Sequence, residues 1–121
     1  MTPTRWPLLA AAALAASLPS ACNTERKQEC DRFIAATKPL EQGIPTADAV
    51  DSVAKQVSAM TFQDEPLGIF AKNYVQTLGV LSSTIRLKDE PSAPDGTNDV
   101  IKQKLKSART EASDLQRYCA P

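Results

Sequence analysis

The chain has 121 residues, with 14 Lys plus Arg, 14 Asp plus Glu, three Cys and no His. That length carries one domain, or one domain behind a removable leader, and the lack of His excludes His-based triads, imidazole metal sites and haem ligation through His. Apolar residues make up 42% and aromatics only 5%, so the core must be built mainly from aliphatic side chains.

Residues 1–7, MTPTRWP, carry one basic side chain, Arg5, and residues 8–18 read LLAAAALAASL without a charge. As a helix that run spans about 16 Å, well short of a bilayer core of roughly 30 Å. A basic start, a short apolar stretch and small residues after it read as a secretory signal rather than a membrane span. The stretch closes on Leu18-Pro19-Ser20-Ala21-Cys22. These five residues resemble the lipobox of bacterial lipoproteins: Ser20, Ala21 and Cys22 match, while Pro19 stands where Leu is usual and Leu18 lies one position early. The resemblance implies removal of residues 1–21 as a lipoprotein signal peptide, acylation (palmitate included) of Cys22, a short tether over 22–29 and a folded domain over 30–121. Asn23, in place of Asp, implies the outer membrane, facing the periplasm, by the sorting rule of enteric lipoproteins. The alternative is ordinary cleavage near Ala15-Ala16-Ser17, which gives a soluble exported protein with an odd Cys.

Beyond the leader the chain holds 13 Lys plus Arg (14 less Arg5) against 14 acids. This balance argues against nucleic acid as a partner, because phosphate binding needs a basic surplus. A first helix is predicted over Glu25 to Glu41, with Cys30, Phe33, Ile34, Thr37 and Leu40 on one face; Arg26, Glu29 and Arg32 lie mostly off it, and Pro39 kinks or ends it. After the break at Gly43-Ile44-Pro45, Thr46 is the N-cap of a second helix. Its apolar stripe is Val50, Val53, Ala54, Val57, Met60 and Thr61.

Asp64-Glu65-Pro66 combines a cap, an acid and a first-turn proline, and opens a third helix that runs to Leu87. Leu67, Phe70, Ala71, Tyr74, Leu78, Leu81 and Ile85 line one face, with Ile69, Val75 and Val80 as further apolar residues off that stripe. Residues 88–96, KDEPSAPDG, form a polar connection closed by Asp95-Gly96. A fourth helix, Asn98 to Cys119, has the most regular pattern: Ile101, Leu105, Ala108, Ala112, Leu115 and Cys119 follow the seam of a packed bundle.

Cysteine parity and helix count agree. Lipidation of Cys22 leaves Cys30 and Cys119 to pair. They sit near the start of the first helix and at the end of the fourth, and an even number of antiparallel helices brings those two ends together. The expected fold is therefore all-α, an up-down-up-down four-helix bundle closed by a Cys30–Cys119 disulfide. The anchor, eight positions before Cys30, places the disulfide end towards the membrane. The connections at 43–45 and 88–96 then lie at the far end, where the 88–96 loop is a candidate contact site.

Few residues suggest chemistry. There is no Gly-rich phosphate loop, no Gly-x-Ser-x-Gly turn and no Cys-x-x-Cys. Asp48 and Asp51 share a helix face and in principle suit a hard cation, but acids in a first turn ordinarily stabilise the helix dipole. Lys102, Lys106 and Arg109, with Lys104 nearby, form a basic stripe suited to anionic headgroups or an acidic partner. The extra apolar residues Ile69, Val75 and Val80 offer a docking face or, as is usual in bundles, contacts to two neighbouring helices.

The layout also resembles small helical-bundle lipoproteins of proteobacteria, through Cys22, Cys30, Phe70, Tyr74, Tyr118 and Cys119. That resemblance implies a helical fold and an envelope location, with no activity to carry over. The sequence is read as a lipid-anchored envelope protein, a non-catalytic binding or structural module without a cofactor or metal, whose partners are the membrane and an envelope protein. A periplasmic carrier of a small apolar ligand is the first alternative and an enzyme the second.

Overall fold

The computed structural model of the chain describes residues 24–121, so Cys22, the leader and the lipobox-like segment lie outside the described residues. Four α-helices and one 3-10 turn make up the described chain, and no strand occurs among those residues. Helix α1 covers residues 24–37 and passes into the 3-10 turn Lys38–Leu40. Pro39 sits in the first positions of that turn, where its fixed φ is accommodated. The regular helix thus ends ahead of the proline, four residues before the predicted limit at Glu41. At the other end residues 24–29, within the span assigned to a tether, are already helical.

Helix α2, Ala47–Ser58, is capped by Thr46, whose hydroxyl accepts the Ala49 N–H at 3.1 Å. It stops before Met60 and Thr61, which the apolar periodicity had included. Helix α3, Glu65–Lys88, starts as predicted: Asp64 accepts the Leu67 N–H at 3.2 Å and proline occupies the first turn. Helix α4, Thr97–Cys119, follows Gly96, whose φ of 88° is the left-handed conformation that glycine adopts without a Cβ penalty. Gly43, φ 67°, turns the chain between α1 and α2 in the same way.

The helices run up-down-up-down. The Cys30–Cys119 disulfide, S–S 2.12 Å with Cα atoms 5.9 Å apart, joins the first turns of α1 to the last turn of α4. Arg86 near the end of α3 meets Asp48 at the start of α2, and Tyr118 at the end of α4 meets Asp64 at the start of α3. Each pair joins the start of one helix to the end of another, so α3 is antiparallel to both α2 and α4.

The predicted stripes converge on one core. Phe33, Leu40, Val50, Val57, Leu67, Leu78, Leu81 and Leu115 are all at most 2% exposed. Helix α2 has half the length of α3, 12 residues against 24, so it cannot cover the whole apolar face of its neighbour. The connection 59–64 covers the remainder: Met60 and Phe62 pack against the core, and the Phe62 ring lies 5.5 Å from that of Phe33. Phe33 in turn meets Tyr74 edge-on at 5.9 Å, an arrangement that suits the ring quadrupoles.

Candidate functional site

Three polar assemblies and one apolar face gather the residues singled out from the sequence. The first assembly surrounds the disulfide. Arg26 lies over the Tyr118 ring, 4.4 Å from its centroid, and donates through Nη2 to the Tyr118 carbonyl at 2.9 Å. The Tyr118 hydroxyl donates to Asp64 at 2.8 Å, and this hydrogen bond is the main reason its pKa is pushed up. Glu29, which helical spacing put mostly off the apolar face, is 4% exposed. Its Oε1 accepts the backbone N–H groups of Gln63 at 2.5 Å and Asp64 at 3.4 Å, while Oε2 is buried without a hydrogen-bond partner. One carboxylate on α1 thereby ties down the loop that opens α3. Spacing along α1 carries no sign of this, because the donors lie over thirty positions further along the chain.

The second assembly is the outer flank of α4. At 3.6 residues per turn Lys104 lies about 200° around the helix from Lys102, so the four predicted cations do not form one patch. Lys102, Lys106 and Arg109 face the Gly43–Ile44 turn and line a groove of about 620 Å3 there. Lys104 faces the other way and acts electrostatically to lower the pKa of Glu111. Arg109 is committed within the fold: its Nε donates to the Leu40 carbonyl at 3.1 Å and its Nη2 to the Gly43 carbonyl. Lys102 and Lys106 are exposed and form no ion pair or hydrogen bond among the described residues.

The predicted apolar face of α3 divides as well. Ile69 is 56% exposed and Val80 46%, whereas Val75 packs against the core from a half-buried position. Val75 is thus a bundle contact, touching the gap that the short α2 leaves, and the outward face belongs to Ile69 and Val80.

Asp48 and Asp51 meet a cation from the protein itself, since Arg86 reaches them at 2.9 Å and 2.7 Å. Hydrogen bonds from Ser82 and Arg86 hold the Asp51 carboxyl below its usual range. Arg86 also donates to the Ser82 hydroxyl at 2.6 Å. This α2–α3 clamp was not legible from the sequence, which offered only the helix dipole as a reason for the two acids.

Among the described residues no group of three or more His, Cys, Asp or Glu side chains is placed to hold a metal ion. No helix among them is long and apolar enough to cross a membrane. No protein family, curated protein or solved structure matches this chain.

Proposed function

We propose that the chain is an exported envelope protein, held to a membrane through an acylated Cys22 and acting through its surface as a non-catalytic binding or structural module. The observation that supports this reading is how the cysteines are shared out. Cys30 and Cys119 form the disulfide, and the remaining one of the three is Cys22. Disulfides persist in oxidising compartments, and an exported chain with an odd Cys leaves one sulfur for other chemistry. Here the sulfur left over closes the lipobox-like Leu18-Pro19-Ser20-Ala21-Cys22.

Residue 24, two positions after Cys22, is already helical, so an anchor at Cys22 holds the disulfide end of the bundle next to the bilayer. The membrane is then the first partner and an envelope protein the second. The non-catalytic part of the reading rests on the sequence, which supplies neither His nor a recognisable nucleophile motif. The carrier alternative draws on no observation of similar weight, since Phe33, Leu78 and Leu81 are all buried within one apolar core cluster.

Non-reducing intact and peptide mass analysis of the protein from its native membrane tests the proposal. Acyl mass on Cys22 together with a Cys30–Cys119 linked peptide is the expected result. A chain that starts elsewhere, with an unmodified Cys22, overturns the anchor.

A further inference from the structure

We infer that the groove between the Gly43–Ile44 turn and the outer flank of α4 is a docking site for an acidic protein segment that carries an apolar side chain. This rests on the binding-module reading above and adds the chemistry of the partner. Ile44 is 58% exposed, the largest exposure among the large apolar side chains of the described residues, and it lines this groove. The opposite wall carries Lys102 and Lys106, whose ammonium groups have no ion partner among the described residues. Thr110 and Ser113, both exposed, add hydroxyls along α4, and no acidic side chain lines the groove. Arg109 locks the turn to α4 through the Leu40 and Gly43 carbonyls, so the spacing between Ile44 and the lysines is set before a partner arrives. Preformed geometry of this kind reduces the ordering that binding would otherwise require.

Charge complementarity selects the occupant. Two unpaired cations beside an exposed isoleucine ask for carboxylates flanking an apolar side chain. Nucleic acid needs a larger basic surplus than this chain has, with 14 cations against 14 acids. A bilayer holding Cys22 lies at the disulfide end of the bundle, and the groove runs along α4 from Ser113, six positions before Cys119, away to Lys102. Lys106 is about 20 Å along α4 from Cys119, and Lys102 is farther still. Screening in physiological salt acts over about 8 Å, so headgroups at the disulfide end leave these lysines unsatisfied.

The test uses the full protein from its native membrane, in uncharged detergent, with a fluorescein-labelled peptide of alternating Glu and Leu as the probe. Saturable binding is expected, weakened about tenfold or more by K102E/K106E and by I44S. The charge-reversed variant is expected to take up a Lys/Leu peptide instead. K102Q/K106Q, which introduces no new charge, should fall between wild type and K102E/K106E, and thermal melts check that each variant folds. Equal affinity in wild type and variants, or no saturable binding, overturns the docking site. If vesicles of phosphatidylglycerol and phosphatidylcholine bind through Lys102 and Lys106 while the peptide does not, an anionic lipid surface replaces the protein partner. The intact mass of the same preparation reports on Cys22 independently, so loss of the anchor and loss of the groove are separate results.

Discussion

Glu111 reaches from α4 towards α3, where its Oε1 accepts the Thr77 hydroxyl at 2.8 Å while Oε2 is buried without a partner. Burial raises its pKa above the ordinary 4.5, and the Thr77 hydrogen bond and Lys104 only partly oppose that. Burial likewise lifts the nearby Tyr74 phenol well above its usual value, with Glu111 and Glu41 adding to the effect. A carboxyl whose folded value lies above its unfolded one binds its proton more tightly in the native state. Stability therefore falls as pH rises through the interval between 4.5 and the raised value, and the penalty persists at neutral pH. Replacing Glu111 with Gln keeps an acceptor for Thr77 and removes the charge. The variant should melt higher than wild type at pH 7, and the difference should close below about pH 4.5, as scanning calorimetry across pH would show. A lower melting temperature at pH 7 would mean that the charge itself is needed. Asp51 has the opposite sign: its lowered pKa gives stability that is present above 3.8 and lost as pH falls further.

Among the elements, α4 is where periodicity and packing agree most closely. Ile101, Leu105, Ala108, Ala112 and Leu115, read as a seam, are between 1% and 6% exposed. An aspartate at Leu105 would bury an unpaired charge, which costs more than a domain of this size can absorb. The Leu105→Asp variant should lose cooperative thermal unfolding, whereas Leu105→Ala should stay folded and lose about 2–5 kcal/mol in a urea titration. The other helices were legible to different degrees. The start of α3 was written locally in Asp64-Glu65-Pro66, and the Asp64 cap is where it was expected. The early end of α2 was not, because Met60 and Thr61 continue its apolar rhythm. Covering the lower half of α3 takes a connection that carries Met60 and Phe62 across the gap, and a rhythm along one helix is blind to the length of its neighbour.

At the scale of the whole molecule, the disulfide closes a loop across 89 positions. In the loop-entropy account a loop that long gives about 4–5 kcal/mol, although measured values are commonly smaller. Against a total stability of about 5–15 kcal/mol this is a large share. The Cys119→Ser variant should lower the melting temperature by at least about 10 °C and abolish the mobility shift on reduction. An unchanged melting temperature would mean that the packed seams hold the bundle without the bridge. The bridge also keeps the Arg26–Tyr118–Asp64 assembly together, so hydrogen exchange in the first turn of α3 should rise in the same variant.

The sequence by itself determined the helical class, the four stripes, the Asp64 cap and the Cys30–Cys119 pairing. Those features follow from spacing along the chain and from parity, and both are one-dimensional. Only the tertiary structure decided what the polar side chains do. Glu29 ties down the loop before α3, Arg86 joins two acids of α2, and Arg109 pins the Gly43 turn. Each of these depends on a partner 34 to 69 positions distant in sequence. A long polar side chain has several partners within reach, and the packing of the apolar faces selects among them.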